Sequence, residues 1–387
     1  MKPSAPSAPC ETRLDGLLEL IAEHLDDHRC RDRDARYRSA LAFEPIDHPP
    51  LVARAPFPKH WTVPPPWSAF ERYPYSVAFH DPVAMMQNQL LDYVVPGLVI
   101  GDDSPLAIRN DHGTIQIASL LGASWQMHGD NYPWVEPLRD DADLEAIARG
   151  GDVDLERGGV MSISRDTLEL YRRKLMQFGC ADRIQVSLPD LQGPIDVAEQ
   201  LRGSELFIDL YESPQLVETL LDRVTTTVIQ VAECYRALAV DRLDPTASTQ
   251  HGYVLPGRLL IRNDTAIMIS PGMYAEQVRP HDARLLEALG GGSIHFCGNG
   301  EHLIDAMLEI PALRGLDFGQ SQMMDMQSVF ARCRARHVAL TNVQPGRDAL
   351  MSGDAARAYP SGAVLVYPSV DIEDALAVVG SSCAAAH

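Results

Sequence analysis

Basic residues are scarce in this chain: 33 lysines and arginines face 53 aspartates and glutamates, a formal net charge of −20. A surface of that sign repels phosphate backbones and anionic headgroups, which argues against nucleic acid as a partner; solubility accounts for the charge. Long apolar runs are missing too. No stretch approaches the roughly 20 apolar residues a membrane span requires. Residues 1–10 (MKPSAPSAPC) lack the apolar segment of a secretory signal and are expected to form a disordered tail. The seven cysteines (Cys10, Cys30, Cys180, Cys234, Cys297, Cys333 and Cys383) form no CxxC pair, so the expectation is reduced thiols in the cytoplasm. Neither GxGxxG nor GxxxxGK(S/T) occurs, which removes the phosphate loops of nucleotide-binding α/β folds. Nor is there a GxSxG nucleophile elbow.

What is present is an ordered alternation. Residues 11–43 return apolar side chains at spacings of three and four (Leu14, Leu17, Leu18, Ile21, Leu25), the period of an amphipathic helix. Residues 45–75 carry nine prolines, which fix φ and remove backbone donors, so this stretch reads as an extended arm without regular elements. From about residue 95 short apolar runs (97–100, 184–188, 266–269, 293–296, 315–318, 337–340 and 363–367) alternate with helical patterns (215–238, 271–289, 300–308, 324–336 and 346–357). The segment 259–264 reads as a further strand. This is the pattern of repeated βαβ units around a parallel sheet. Its length and short connections suit a (β/α)₈ barrel better than an open sheet. The expected organisation is a tail (1–10), a helix and proline-rich arm (11–75), and an α/β TIM barrel (76–387). Gly290, Gly291 and Gly292 precede a strand, so they suit a helix C-terminus and turn rather than a phosphate cradle.

Barrel enzymes place their chemistry at the C-terminal ends of the strands. Those ends here carry Asp102 and Asp103, Asp190 and Gln192, Asn263 and Asp264, His295 and Cys297, Asp317 and Gln320, Asn342 and Gln344, and Tyr367. Loops are polar in any protein, which explains most of these residues singly. One pair has a sharper reading. His295 and Cys297 are two apart in a strand and therefore face the same side, about 6–7 Å apart along the backbone. An imidazole and a thiolate so placed suit two ligands of a tetrahedral zinc, although a lone HxC also occurs as a core histidine beside an inert thiol. Trp125, His128, Tyr132 and Trp134 form an aromatic cluster that either packs or lines a pocket mouth. His112, His251 and His281 lie in polar surroundings.

Several ordered motifs resemble the uroporphyrinogen decarboxylase and corrinoid methyltransferase superfamily. Residues 184–223 (IQVSLPDLQGPIDVAEQLRGSELFIDLYESPQLVETLLDR) resemble its strand ending in a GP turn, followed by helix, break and helix. Asp264, the Ile269-Ser270-Pro271 run and residues 274–280 resemble its "D…SP…F…P" segment. Residues 294–298 (IHFCG) resemble its HxCG strand, and residues 338–345 resemble its NVDP strand with Gln344 in place of the acid. The resemblance spans about residues 95–370 and implies a (β/α)₈ barrel. The decarboxylase branch has an arginine-bearing N-terminal segment, an FSDI-like strand and a late GHG turn; residues 101–104 read GDDS and residues 366–370 read VYPSV. The methyltransferase branch transfers methyl groups between a corrinoid protein and a thiol, using zinc held by HxC and a distant cysteine.

The resemblance therefore implies zinc on His295 and Cys297, with Asp317, Glu373 or Cys383 as candidates for the third ligand. The methyl group is expected to come from a corrinoid, a possible co-substrate, or from another donor and to pass to a thiol; a corrinoid protein is a possible partner, and a monomer or homodimer is expected. Asp190, Asp264 and Asn342 are the candidate catalytic residues, orienting substrate or a proton. Gln192, Asn263, Gln320, Tyr367 and Asp102 are candidates for substrate contact. Two other readings remain. One is a metal-free decarboxylase acting on a tetrapyrrole-like or other carboxylated substrate, with Asp190 or Asp102 stabilising a protonated intermediate. The other is a non-catalytic barrel that binds a tetrapyrrole or corrinoid.

Overall fold

The computed structural model describes residues 9–54, 64–238 and 246–385, without the side chains of 383–385. The expected tail (save its last two residues), part of the proline-rich arm including Pro56 and Pro58, and the Cys383 side chain lie outside the described residues.

The chain is a mixed α/β structure. Eight described strands run parallel to a neighbour: β1 (Leu51–Arg54), β2 (Ala107–Arg109), β3 (Gln185–Ser187), β4 (Leu260–Arg262), β5 (Gly292–Phe296), β6 (Leu313–Phe318), β7 (Ala339–Val343) and β8 (Ala363–Pro368). Six form one sheet in the order β4-β5-β6-β7-β8-β1, and β2 pairs with β3. The two groups touch at both ends. Leu51 of β1 donates its N–H to the Asp103 carboxylate (3.0 Å) and accepts the Asp103 N–H (3.0 Å). Beyond β3, Gln192 forms a parallel bridge with Arg262 of β4, and Gly193 donates its N–H to the Arg262 carbonyl at 2.7 Å.

Helices cover this sheet with apolar stripes. The helix Glu11–His24 buries Leu14, Leu17, Leu18 and Ile21, and Pro214–Arg236 buries Val217, Leu220, Leu221, Val224, Val228 and Val231, each at helical spacing. The helical pattern over 11–43 is two helices. It breaks where Asp26 turns extended and its carboxylate caps the N–H groups of His28 and Arg29, starting the helix Asp27–Leu41.

Three local expectations are corrected. The run 97–100 is not a strand but the end of the helix Val95–Ile100, closed by Gly101 in the left-handed region (φ 77°); a four-residue apolar run has no period that separates helix from strand. The run 266–269 is a short 3-10 turn, Thr265–Met268, whose first N–H groups are taken by the Asp196 carboxylate. The proline-rich stretch contains β1, which pairs with β8 in the main sheet; Pro49 and Pro50 stand just before the strand, where a missing N–H costs no ladder bond.

Gly257 leads toward β4 at φ 86°, and a Cβ there would meet the Gly292 backbone at 2.4 Å. Backbone cannot swing aside as a side-chain tip can. Gly257→Ala is expected to lower stability by about 1–3 kcal/mol, read as an earlier midpoint in urea unfolding; an unchanged midpoint would refute this close approach.

Candidate functional site

Sheet register builds a polar row across four strands. Arg262 of β4 pairs with His295 of β5, His295 with Asp317 of β6, and Asp317 with Thr341 of β7. Neighbouring strands lie about 4.8 Å apart, so in-register side chains stand side by side. His295 Nδ1 is hydrogen-bonded to the Asp317 carboxylate, which also accepts the Thr341 hydroxyl at 2.7 Å. Asp317 and Thr341 are fully buried, and His295 nearly so. Burial opposes charge on Asp317, but the hydrogen bonds from His295 and Thr341 and the imidazole charge hold its carboxyl well below the usual range. Burial likewise opposes protonation of His295, yet the bond and charge of Asp317 prevail and push the ring up to about 9.

With Nδ1 engaged, Nε2 faces the open side. Cys297 Sγ stands 3.4 Å and Asp264 Oδ1 3.6 Å from it. The ligand atoms of Asp264, His295 and Cys297 all lie within 4.8 Å of one another, the one group of this kind among the described residues. Asp264 is fixed from two sides: it accepts the Cys297 N–H at 2.6 Å, and its own N–H donates to Asp196 at 2.9 Å. The Cys297 thiol occupies space that only glycine leaves at position 319, where a Cβ would lie 2.6 Å from the sulfur. Imidazole, thiol and carboxylate are donor types that a metal such as zinc takes. Asp264 is the third member of this group. Asp317, one of the third-ligand candidates, stands behind the imidazole instead, on Nδ1.

Beside this group lies a cavity of about 450 Å³. It is lined by Arg54, Arg109, Arg262, Asp111, Asp190 and His251, with apolar and aromatic walls from Leu91, Tyr93, Pro133, Tyr132 and Trp134. Arg262 Nε donates to Asp190 Oδ1 at 2.6 Å, and its Nη2 donates to His251 Nε2 at 2.5 Å. Asp190 is buried, but Arg262 and Arg109 outweigh that cost and keep its carboxyl low. Burial, with Arg262 and Arg109 adding to it, keeps His251 well below its usual range and so neutral. His251 sits in a tight turn between the antiparallel strands Ala247–Gln250 and Tyr253–Pro256, with φ 56°. Positive φ is uncommon outside glycine. Its ring stacks on His295 at 5.9 Å between centroids, so it joins the cavity to the His–Cys–Asp group.

The other sequence candidates separate clearly. Gln192 is buried beside the Arg262 backbone. Asn263 is buried and donates to Asp282 at 2.6 Å. Asn342, at φ 57°, donates to the Phe318 carbonyl and accepts from Gln344 at 3.0 Å. Gln320 accepts the Gly298 N–H, bracing the turn after Cys297. Tyr367 bonds Asp374 at 2.8 Å, and neither it nor Asp102 lines the cavity. Asp102 accepts the N–H groups of Ala53 (2.6 Å) and Ser104 (3.0 Å), stitching β1 to the segment before β2. Of the aromatic cluster, Tyr132 and Trp134 line the cavity, and Tyr132 donates to Asp111 at 2.9 Å. Arg109 and Arg262 escaped the sequence reading. Their signal is a single arginine inside a short apolar run, LAIRN and LLIRN, where a strand interior rarely tolerates charge.

No protein-family profile matches the chain, and no curated protein matches its sequence. Among solved structures, a methyltransferase from Methanosarcina mazei superposes with a TM-score of 0.65 over 91% of this chain and 98% of that one, at 17% sequence identity. The two share a fold.

Beneath the site, Asp282 is fully buried and accepts from Asn263 and from the Tyr274 hydroxyl (2.8 Å). Burial pushes it up to about 7 from an ordinary 3.8. A carboxyl raised on folding contributes stability that is complete below the unfolded value and is lost as pH rises through the folded one. Asp282→Asn is therefore expected to flatten the fall in stability between about pH 4 and 7, measured by urea unfolding across that range; an identical pH profile in the variant would refute it.

Proposed function

We propose that this chain is a zinc-dependent methyltransferase that moves a methyl group from a corrinoid or another donor onto a thiol. The observation that carries the reading is the convergence of Asp264, His295 and Cys297, with the imidazole oriented by Asp317. The shared fold with a methyltransferase supports it. We also infer that β1–β8 form one (β/α)₈ barrel, supported by eight parallel strands and the contacts at Leu51–Asp103 and Gln192–Arg262. The proposed domain division keeps the helices of residues 11–41 as an N-terminal extension, with β1 contributed to the barrel.

His295 Nε2, Cys297 Sγ and Asp264 Oδ1 would hold the ion. Bound there, zinc would lower the pKa of a thiol at its open position and favour the thiolate. The chain's own residues prepare that site. Asp317 fixes the imidazole tautomer so that Nε2 points to the ion, the usual role of a carboxylate behind a ligating histidine. Gly319 leaves room for the sulfur, and Asp196 orients Asp264. In the transfer the sulfur forms a new bond to the methyl carbon, the donor keeps the electron pair of the broken bond, and the thiol proton passes to solvent.

The decarboxylase reading would use Asp190 or Asp102. Asp190 already neutralises Arg262, and Asp102 is taken up by backbone donors of Ala53 and Ser104. The non-catalytic reading leaves the aligned ligand group without a purpose. Metal content of the purified protein tests the proposal. About one zinc per chain is expected, lost in both His295→Ala and Cys297→Ala. Absence of zinc after supplementation, or full occupancy in Cys297→Ala, would overturn it.

A further inference from the structure

A second cavity, of about 200 Å³, lies between the helix Asp27–Leu41, the segment 101–104 and the C-terminal helix Ile372–Ala385. Leu51, where β1 begins, lines it, whereas Arg54, where β1 ends, lines the cavity beside the His–Cys–Asp group. The two cavities share only Ser104, and none of Asp264, His295 and Cys297 lines the second.

Arg29, Arg33 and Arg36 follow one another at spacings of four and three, so they stand on one face of their helix, and all three line this cavity. Two of them are committed. Arg33 donates to Asp34 at 2.9 and 2.8 Å and to the Ser104 carbonyl at 3.2 Å, and Arg36 pairs with Asp103. The exposed Arg29 guanidinium makes no hydrogen bond or ion pair among the described residues, beyond a through-space attraction to Asp26.

Facing the same cavity is a carboxylate with no cation. Asp102 accepts the N–H groups of Ala53 (2.6 Å) and Ser104 (3.0 Å) and the Ser104 hydroxyl (2.9 Å), and it forms no ion pair among the described residues. Burial pushes its carboxyl up to about 6 against the pull of these donors. The other lining acids are engaged: Asp26 caps its helix, Asp32 pairs with His28, and Asp103 with Arg36. Gly101, left-handed at φ 77°, lets the Arg29 fork lie against the residue before Asp102; a Cβ there would stand 2.7 Å from Nη2. Arg29 and Asp102 nonetheless do not pair with each other, so a cation and a carboxylate front one cavity with a gap between them. An ammonium would supply the countercharge that Asp102 lacks, and a guanidinium fork takes a carboxylate through two bonds. The remaining wall is apolar at Leu51, Leu98, Leu106 and Val379. The volume is below the roughly 300 Å³ at which pockets for drug-sized ligands begin, and it fits a molecule of amino-acid size.

We infer that this second cavity binds a small apolar α-amino acid as its zwitterion, with the carboxylate on Arg29, the ammonium on Asp102 and the side chain against Leu98, Leu106 and Val379. The site is built without the metal ligands and stands or falls apart from the methyl-transfer reading.

Calorimetric titration of the wild-type protein with L-alanine, L-valine and L-leucine tests this, beside 4-methylpentanoate and 3-methylbutylamine, which are leucine without its ammonium and without its carboxylate. At least one amino acid is expected to bind saturably, at least about tenfold more tightly than either half-molecule. Arg29→Gln, at an exposed position whose side chain bonds nothing, is expected to weaken that amino acid about tenfold with the fold intact, and Asp102→Asn, which keeps the shape, by a similar factor. Cys297→Ala is expected to leave it unchanged, which separates this site from the metal group. No saturable binding of any of the three amino acids, equal binding of 4-methylpentanoate or 3-methylbutylamine, undiminished binding in Arg29→Gln, or loss of binding in Cys297→Ala would overturn the inference.

Discussion

The arrangement of the site depends on one buried ion pair, His295 with Asp317, seated side by side on adjacent parallel strands. A buried carboxylate costs several kcal/mol unless it is paired and hydrogen-bonded. Here the imidazole and the Thr341 hydroxyl supply those bonds, and register alone brings all three together. Because Asp317 engages Nδ1, Nε2 can only face outward, toward Cys297 and Asp264.

The same row extends to Arg262, and there the chemistry changes character. On the Cys297 side, soft and anionic donors converge on a point; on the Arg262 side, cationic donors converge on a cavity. His251 touches both, stacked on His295 and bonded to Arg262, and its positive φ is a local strain that the tight turn imposes.

Much of this was legible in the sequence because it is local. HxC spacing in a strand fixes which side both residues face, and the later strands, bounded by clear helices, were readable from their apolar runs. What failed was either short or non-local. A four-residue run at 97–100 has no decisive period and became the end of a helix. β1 and β2 are four and three residues long; one hides among prolines and the other behind an arginine. The place of Asp264 beside Cys297 depends on the pairing of β4 with β5 and on Asp196, more than 60 residues away, so spacing along the chain carried no trace of it. Asp317 was visible as a polar strand end, but its task behind the histidine is a matter of register between strands.

The most direct test is the zinc affinity of Asp317→Asn against wild type, by competition with a chromogenic chelator. The asparagine preserves shape but removes the carboxylate that orients the imidazole and makes its Nε2 a stronger donor to a metal. The account predicts a 10–100-fold weaker affinity with the fold intact, in line with other carboxylates behind metal-bound histidines. Equal affinity in a folded variant would contradict it, because His295 would then need no partner on Nδ1 to present Nε2 to the metal.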